Sequence, residues 1–200
     1  MENLWTISHL KKSLLEGLKD CRNAGFTSVI FLTGGNTALK LYQDKEFLRI
    51  ISYFDRVCFA DERLVSIKHE DSNAGTFLKW YNNQPNNFEP ILDDYNSVRK
   101  DYHSTITNYL INSNFKTYCI SGFGLDGHFW SLFSKEDCSS KDLILFTNSP
   151  NHSHNRITLG YDAFQLLNEN YFISTEEKLK HFLKNPKEPV SFIMNSVYLV

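Results

Sequence analysis

The stretch Thr117-Tyr-Cys-Ile-Ser-Gly-Phe-Gly-Leu-Asp-Gly-His128 joins an apolar, strand-like run to a glycine-rich loop. Its three glycines match the G-x-G-x-x-G pattern of dinucleotide-binding loops. A pyrophosphate cradle, however, needs backbone N–H groups and no fixed negative charge, whereas Asp126 lies inside this loop. His128 directly follows the last glycine, so an acid–base group is placed at the mouth of the loop. We therefore interpret the stretch as a strand followed by a catalytic loop.

The same order, an apolar run followed by a polar segment, recurs at three other places in the chain. Apolar residues at helical spacing lie between these units and predict helices over residues 7–25 and 93–111, among others. Strands that alternate with helices predict an α/β protein, here a single Rossmann-like domain over residues 1–200. Its sheet should be mostly parallel, with helices on both faces. The three further units are 27–32 into 33–37, 56–60 into 61–63, and 171–174 into 175–178.

Composition narrows the class of protein. A chain of 200 residues with a formal charge of −2 fits one globular domain and gives no reason to expect electrostatic binding of nucleic acid or an anionic membrane. No apolar run approaches the roughly 18 residues of a membrane span, and no signal peptide is visible. The four cysteines are widely spaced without a C-x-x-C pair, which favours a reducing, cytoplasmic setting over a disulfide or zinc framework.

The four polar segments should meet in one site. In an open parallel sheet the carboxyl ends of the strands share one edge, and ligands bind in the crevice there. Residues 33–37 also open a helix, whose free N–H groups favour an anion such as phosphate. Each segment alone also fits a plain turn or a solvated surface. Together they predict a site with glycine loops, a carboxylate, an arginine, a histidine and a lysine.

Other polar residues are weaker candidates. His152 and His154 lie in a polar turn without further ligands nearby in sequence, so we expect a loop there and no bound metal. His69 has no special context. Asp93 and Asp94 are explained as helix N-terminal charges favoured by the dipole. The residues therefore give no reason to expect a metal or another cofactor.

The motifs together resemble a known family. They occur in order along the chain as 33–37, 59–63 with 71–73, 122–128 with 131–133, 156–159 and 177–178. This combination is similar to the 6-phosphogluconolactonase branch of the glucosamine-6-phosphate isomerase/6-phosphogluconolactonase family. The resemblance implies a Rossmann-like, sugar-phosphate isomerase/lactonase fold that hydrolyses a sugar-phosphate lactone, most simply 6-phosphogluconolactone of the pentose phosphate pathway. It implies a phosphorylated sugar as the partner, no cofactor, and a monomer or homodimer.

The resemblance also implies roles for individual residues. His128 would be the general base that activates water, and either Asp126 or Asp61 would orient and polarise it. A second group would hold the phosphate or the developing anion, or line the pocket. That group comprises Gly34, Gly35, Asn36, Thr37, Arg63, Gly124, Arg156 and Lys178.

Two local features separate the branches of the family. Ser131-Leu-Phe133 continues the histidine loop in the lactonase form, whereas the deaminase branch continues into Asn-Glu-Pro. Phe129 and Trp130 stand where small residues are usual, so they either fill part of the sugar pocket or repack a neighbouring helix. Two alternatives therefore stay open: a sugar-phosphate-binding protein without turnover, and an isomerase or deaminase that acts on an amino-sugar phosphate.

Overall fold

The computed structural model describes residues 4–81, 87–92, 97–150, 153–187 and 197–200. Its strands, in chain order, are β1 Leu4–Thr6, β2 Thr27–Leu32, β3 Arg56–Phe59, β4 Asp61–Arg63, β5 Phe115–Ser121, β6 Ile144–Asn148, β7 Asn155–Leu159, β8 Glu169–Ser174 and β9 Val197–Leu199. Its helices are α1 Ile7–Asn23, α2 Gly35–Tyr42, α3 Lys45–Ile51, α4 Asn73–Trp80, α5 Tyr102–Ile111, α6 Lys135–Ser139, α7 Tyr161–Leu166 and α8 Glu176–Lys184.

Six strands form one sheet in the order β1-β9-β8-β5-β2-β3, and every neighbouring pair in it is parallel. This confirms the expected α/β class with a mostly parallel, helix-flanked sheet. Five of the six residues of β2 are buried, as expected for an interior strand that is apolar on both faces. Because all six strands run in the same direction, their carboxyl ends lie along one edge.

The other three strands form a small antiparallel sheet in the order β4-β7-β6. The polar segment 61–63, expected directly after the strand at 56–60, is itself the short strand β4. Ala60 links the two sheets: its N–H donates to the carbonyl of Leu32 and its carbonyl accepts from the N–H of Leu159, both at 2.8 Å. Asp61 thus begins directly at the edge where the parallel strands end.

The helix starts follow from local sequence. α1 buries Leu10, Leu14 and Leu18 on one face, as its apolar spacing predicted. Ser72 is the N-cap of α4, and its hydroxyl accepts a hydrogen bond from the N–H of Gly75 at 2.9 Å. In the described part of the chain, no helix combines the length and the apolar character needed to cross a lipid bilayer.

The helix expected over residues 93–111 is shorter in the structure and begins only at Tyr102. Before it, Val98 pairs with Leu92 in an antiparallel bridge. The N–H of Arg99 donates to the carbonyl of Ile91 at 3.0 Å. These backbone groups are committed to an extended pairing, which excludes helix there. Apolar spacing alone does not reveal such a partner segment.

Some expectations fall outside the described residues. They concern Asp93 and Asp94, His152, and residues 82–86 of the Asn- and Pro-rich stretch 82–90, whose composition predicts a loop. At the end of that loop, Phe88 pairs with Val57 in an isolated parallel bridge. The loop therefore finishes against β3.

Candidate active site

A cavity of about 190 Å³ opens at the edge where the parallel strands end. Its wall brings together all four polar segments that the sequence placed at this edge. Asp126 and Arg156 are not among the described lining residues. The expected residues that line the cavity are Gly34, Gly35, Asn36, Thr37, Asp61, Arg63, Gly124, His128 and Lys178. The wall also contains Thr33, Asn73, Gly122, Phe123 and Trp130.

The loop after β5 holds His128 against Asp126, with 2.6 Å between Nδ1 and Oδ1. The loop closes on itself because the N–H of Gly124 donates to the carbonyl of His128 at 2.8 Å and the N–H of Gly127 donates to the carbonyl of Gly124 at 3.2 Å. A Cβ added at Gly124 would lie 2.2 Å from Oδ1 of Asp126 and 2.4 Å from Nδ1 of His128. Glycine at this position therefore leaves the space that the pair occupies.

The charge on Asp126 determines what His128 can do. Burial raises the pKa of Asp126, but the charge and the hydrogen bond of His128 outweigh it, so this pKa is lowered overall. Asp126 is therefore an ionised acceptor near neutral pH, and Nδ1 of His128 is the donor. In the neutral form of the ring, Nε2 then carries the lone pair and can accept a proton. Of the two carboxylates that the sequence left open, the structure places Asp126, and not Asp61, against His128.

Asp61 is a second carboxylate in the cavity wall and is only 6% exposed. Its Oδ2 accepts from the hydroxyl of Ser131 at 2.7 Å. Its Oδ1 accepts longer hydrogen bonds from the hydroxyl of Thr33 at 3.5 Å and from Nδ2 of Asn73 at 3.4 Å. Neutral donors thus hold this carboxylate in place while it faces the cavity.

Glu62 is a buried residue whose importance the sequence analysis missed. Its Oε1 accepts from the N–H groups of Arg63 and Asn73 at 2.7 and 2.8 Å. Its Oε2 accepts from the N–H of Ala74 at 2.8 Å and from the hydroxyl of Ser72 at 3.1 Å. Burial raises the pKa of Glu62, whereas the backbone hydrogen bonds oppose the rise. The side chain ties β4 to the start of α4, where an anion suits the helix dipole.

The start of α2 forms part of the cavity wall. Gly34 is the N-cap, and no side chain within the described ranges caps the helix, so the first N–H groups of α2, which lack partners inside the helix, are available to an anion. A Cβ at Gly34 would lie 1.7 Å from Oδ1 of Asn73. Nδ2 of Asn73 donates to the carbonyl of Asp61 at 2.9 Å. Oδ1 of Asn73 is buried and has no hydrogen-bond partner within the described ranges.

Two cationic side chains line the cavity. Lys178 lies in the first turn of α8, and its Nζ is 5.0 Å from the centre of the Phe123 ring. Desolvation lowers the pKa of Lys178, and the charge of Asp126 partly offsets this. Arg63 is held by a hydrogen bond from its Nη1 to the carbonyl of Asp71. The cavity therefore combines fixed positive charge with a helix N-terminus.

Arg156 lies beside Arg63 and away from the described cavity wall. It is 4% exposed and pairs with Arg63 across β4 and β7, and its Nη1 donates to the carbonyl of His154 at 3.0 Å. Desolvation lowers the pKa of Arg156, and the charge of Arg63 acts in the same direction. The anion-holding role that the resemblance implies for Arg156 therefore stays a prediction.

The two bulky residues after His128 take different positions. Phe129 is fully buried and packs edge-on against Phe164 of α7 and Phe172 of β8. Trp130 lines the cavity with its backbone in the left-handed region at φ 53°. Its Nε1 donates to the hydroxyl of Ser121 at 3.0 Å. One of the two residues therefore repacks the core near α7, and the other forms part of the cavity wall.

Comparisons with known proteins agree with this architecture. Residues 5–195 match the family model described as glucosamine-6-phosphate isomerases/6-phosphogluconolactonase. A 6-phosphogluconolactonase from Helicobacter pylori is 29% identical over 170 residues, which cover 77% of this chain and 71% of the relative. The crystal structure of a 6-phosphogluconolactonase from Shewanella baltica is similar with a TM-score of 0.74 and 20% identity, covering 99% of this chain and 97% of that one. The structure of a 6-phosphogluconolactonase from Trypanosoma cruzi is similar with a TM-score of 0.77 and 18% identity, covering 100% of this chain and 94% of that one. At these identities the two structures establish the fold.

Proposed function

Because the chain belongs to the glucosamine-6-phosphate isomerase/6-phosphogluconolactonase family, we propose that it is an ester hydrolase that opens a sugar-phosphate lactone, 6-phosphogluconolactone, to 6-phosphogluconate. The relative from Helicobacter pylori carries the name of this activity. The observation that carries the proposal is the 2.6 Å contact between His128 and an ionised Asp126 at the cavity. This pair supplies a base in the same cavity as an anion-binding helix N-terminus.

His128 acts as the general base. Nε2 takes a proton from water while the water oxygen forms a bond to the lactone carbonyl carbon. The tetrahedral intermediate then collapses, the bond from this carbon to the ring oxygen breaks, and the imidazolium returns the proton to the leaving oxygen. Asp126 holds the ring in the required tautomer and stabilises the imidazolium between the two steps.

The start of α2 and Lys178 bind the phosphate. The N–H groups of residues 35–37 and the positive end of the helix dipole favour a doubly charged anion. Lys178 adds a cation that is already partly desolvated by its surroundings, and Arg63 contributes a second one at the wall. Arg156 acts indirectly, by adding positive charge beside Arg63.

Asp61 accepts hydrogen bonds from the sugar hydroxyl groups. Its carboxylate is already held by Ser131 at 2.7 Å, and the remaining lone pairs suit hydroxyl donors. Trp130 gives the sugar an apolar wall that the hydrogen bond to Ser121 keeps in place. Together they orient the lactone so that its carbonyl faces His128.

A reaction of the isomerase or deaminase type is disfavoured by the residues around His128. Ring opening of an amino-sugar phosphate uses a carboxylate that follows the histidine loop, as the resemblance to that branch implies. Here Leu132 is buried in the core, and the ring of Phe133 lies 4.9 Å from the His128 ring. An apolar side chain thus stands where a second proton carrier would be needed.

We also propose a domain organisation, an oligomeric state and a cellular compartment for this protein. We assign one domain to residues 1–200 and expect a monomer or homodimer. All four cysteines are free, and three of them are buried, as expected for a protein that works in the reducing cytoplasm. Gel filtration with light scattering measures the oligomeric state directly.

The test is a substrate comparison with the wild-type chain. We expect 6-phosphogluconolactone to disappear faster than by spontaneous hydrolysis, and unphosphorylated gluconolactone to be a far poorer substrate. Glucosamine-6-phosphate turnover would instead assign the isomerase class. Thermal stabilisation by 6-phosphogluconate with no turnover of either phosphosugar would reduce the chain to a binding protein.

A further inference from the structure

A cluster of potential metal ligands lies outside the cavity described above. His69, Asp71 and His154 each present a ligand atom, and these atoms lie within 4.8 Å of one another. Over the ranges that the structure describes, they form the only such group of three histidine, cysteine or carboxylate side chains. His69 and Asp71 precede α4, and His154 precedes β7. The fold therefore brings together ligands that are far apart in sequence.

The spacing of the donor atoms suits a small tetrahedral ion. Nε2 of His154 lies 3.1 Å from Oδ2 of Asp71, and Nδ1 of His69 lies 3.8 Å from the same oxygen. Bonds of about 2.0–2.2 Å place the ligands of a tetrahedral zinc site about 3.3–3.6 Å apart. The observed separations bracket that range. Small rotations of exposed side chains are enough to reach it.

The donor set indicates which metals fit. Two imidazoles and one carboxylate suit Zn²⁺ and related divalent transition metals, whereas Mg²⁺ and Ca²⁺ prefer all-oxygen ligands. Three protein ligands with a fourth position open to water are a common zinc arrangement. The side chains keep 41%, 52% and 29% of their surface exposed for His69, Asp71 and His154, respectively. An ion can therefore reach the cluster from solvent.

Both histidines take part in local hydrogen bonds that a metal ion would replace. Nδ1 of His69 accepts a hydrogen bond from the N–H of Asp71 at 3.1 Å, so that nitrogen carries a lone pair. The rings of His69 and His154 meet edge to face, with centres 5.1 Å apart. Metal binding exchanges two exposed hydrogen bonds, this one and the one from His154 to Asp71, for coordination bonds.

We propose that His69, Asp71 and His154 form a binding site for a divalent transition metal of the zinc class. The site adjoins the cavity through its backbone. The carbonyl of Asp71 accepts from Arg63, and the carbonyl of His154 accepts from Arg156. A bound ion restrains the two segments that hold both arginines. The proposal does not depend on which substrate the cavity takes.

The test is calorimetric titration of Zn²⁺ into the untagged chain, with Co²⁺ absorption spectra as a second readout. We expect one ion per chain, no competition from Mg²⁺, and a tetrahedral Co²⁺ spectrum without thiolate bands. Loss of a second-shell partner costs about 10- to 100-fold in metal affinity, so loss of a ligand in His154→Ala or Asp71→Asn should cost at least 100-fold.

His103→Ala is the matched control, because this exposed histidine lies on α5 and is not a member of the cluster. It should bind the ion as the wild type does. Zn²⁺ should raise the Tm of the wild type and the control but not of the two ligand variants, which also checks that all four proteins fold. Absence of wild-type binding, equal binding by both ligand variants, or a thiolate spectrum would overturn the proposal.

Discussion

Replacing Gly124 by alanine tests whether the placement of the His128–Asp126 pair matters for catalysis. The added Cβ would lie 2.2 Å from Asp126 Oδ1 and 2.4 Å from His128 Nδ1, whereas ordinary contact begins near 3.4 Å. The imidazole must therefore move by about 1 Å, and a displacement of that size costs on the order of 10²-fold in rate. The φ of Gly124 is outside the left-handed region, so alanine adds this contact and no backbone strain.

We expect kcat/KM for 6-phosphogluconolactone to fall on the order of 10²-fold, which is a loss of about 2.7 kcal/mol of transition-state stabilisation. The assay follows acid release in a pH-stat and subtracts spontaneous hydrolysis. Gly122→Ala is the control from the same loop, because its Cβ would meet only Thr33 Cγ2 at 3.8 Å. We expect a much smaller loss there. A folded Gly124→Ala enzyme with wild-type kcat/KM, or an equal loss in both variants, would show that the placement of this pair does not limit catalysis.

Three further predictions concern charge and stability. Lys178→Ala should raise KM about 10- to 100-fold, the worth of one charged hydrogen bond. Exposed Lys180, which forms an ion pair with Glu176 on the same helix, should be replaceable by alanine without this effect on steady-state kinetics. The pKa of Asp126 lies below its ordinary 3.8, so its stabilising contribution is present above that pH and is lost as the pH falls through the lower folded value. The difference in urea stability between wild type and Asp126→Asn should therefore shrink in acid, and a difference that does not change with pH would contradict this. Glu62→Gln should lower the free energy of unfolding by about 1–3 kcal/mol, because an amide N–H₂ would face backbone donors, and a variant as stable as the wild type in urea would count against it.

Local patterns were sufficient to locate the loops of the cavity. Residues 33–37 and 122–128 each follow a buried parallel strand, and chain direction alone brings such loops to one edge. Residues 175–178 could be placed by the same reasoning. His128 and Asp126 are two residues apart, so their contact was within reach of the sequence. The order of the strands in the parallel sheet brings these loops together at the cavity.

Contacts between segments that are far apart in the chain could not be predicted from the sequence. In the sequence, Glu62 is one member of a charged triplet. Its role appears only in the fold, where its carboxylate accepts hydrogen bonds from N–H groups at the start of α4. Arg156 lies buried beside Arg63 because β4 and β7 pair, and no local pattern announces that pairing. His154 was set aside as a loop residue because its potential co-ligands lie before α4. In each case the missing information was a tertiary partner, whereas periodicity reports only local structure.

The role of His128 as general base is tested most directly by the rate of 6-phosphogluconolactone hydrolysis by wild type and by His128→Ala, measured side by side above the spontaneous rate. His103→Ala serves as the control for loss of an exposed histidine on α5. We expect the wild type and the control to hydrolyse the lactone equally, and His128→Ala to lose about 10²–10⁴-fold in kcat. A wild-type rate equal to the spontaneous rate, or a folded His128→Ala protein as active as the wild type, would contradict it.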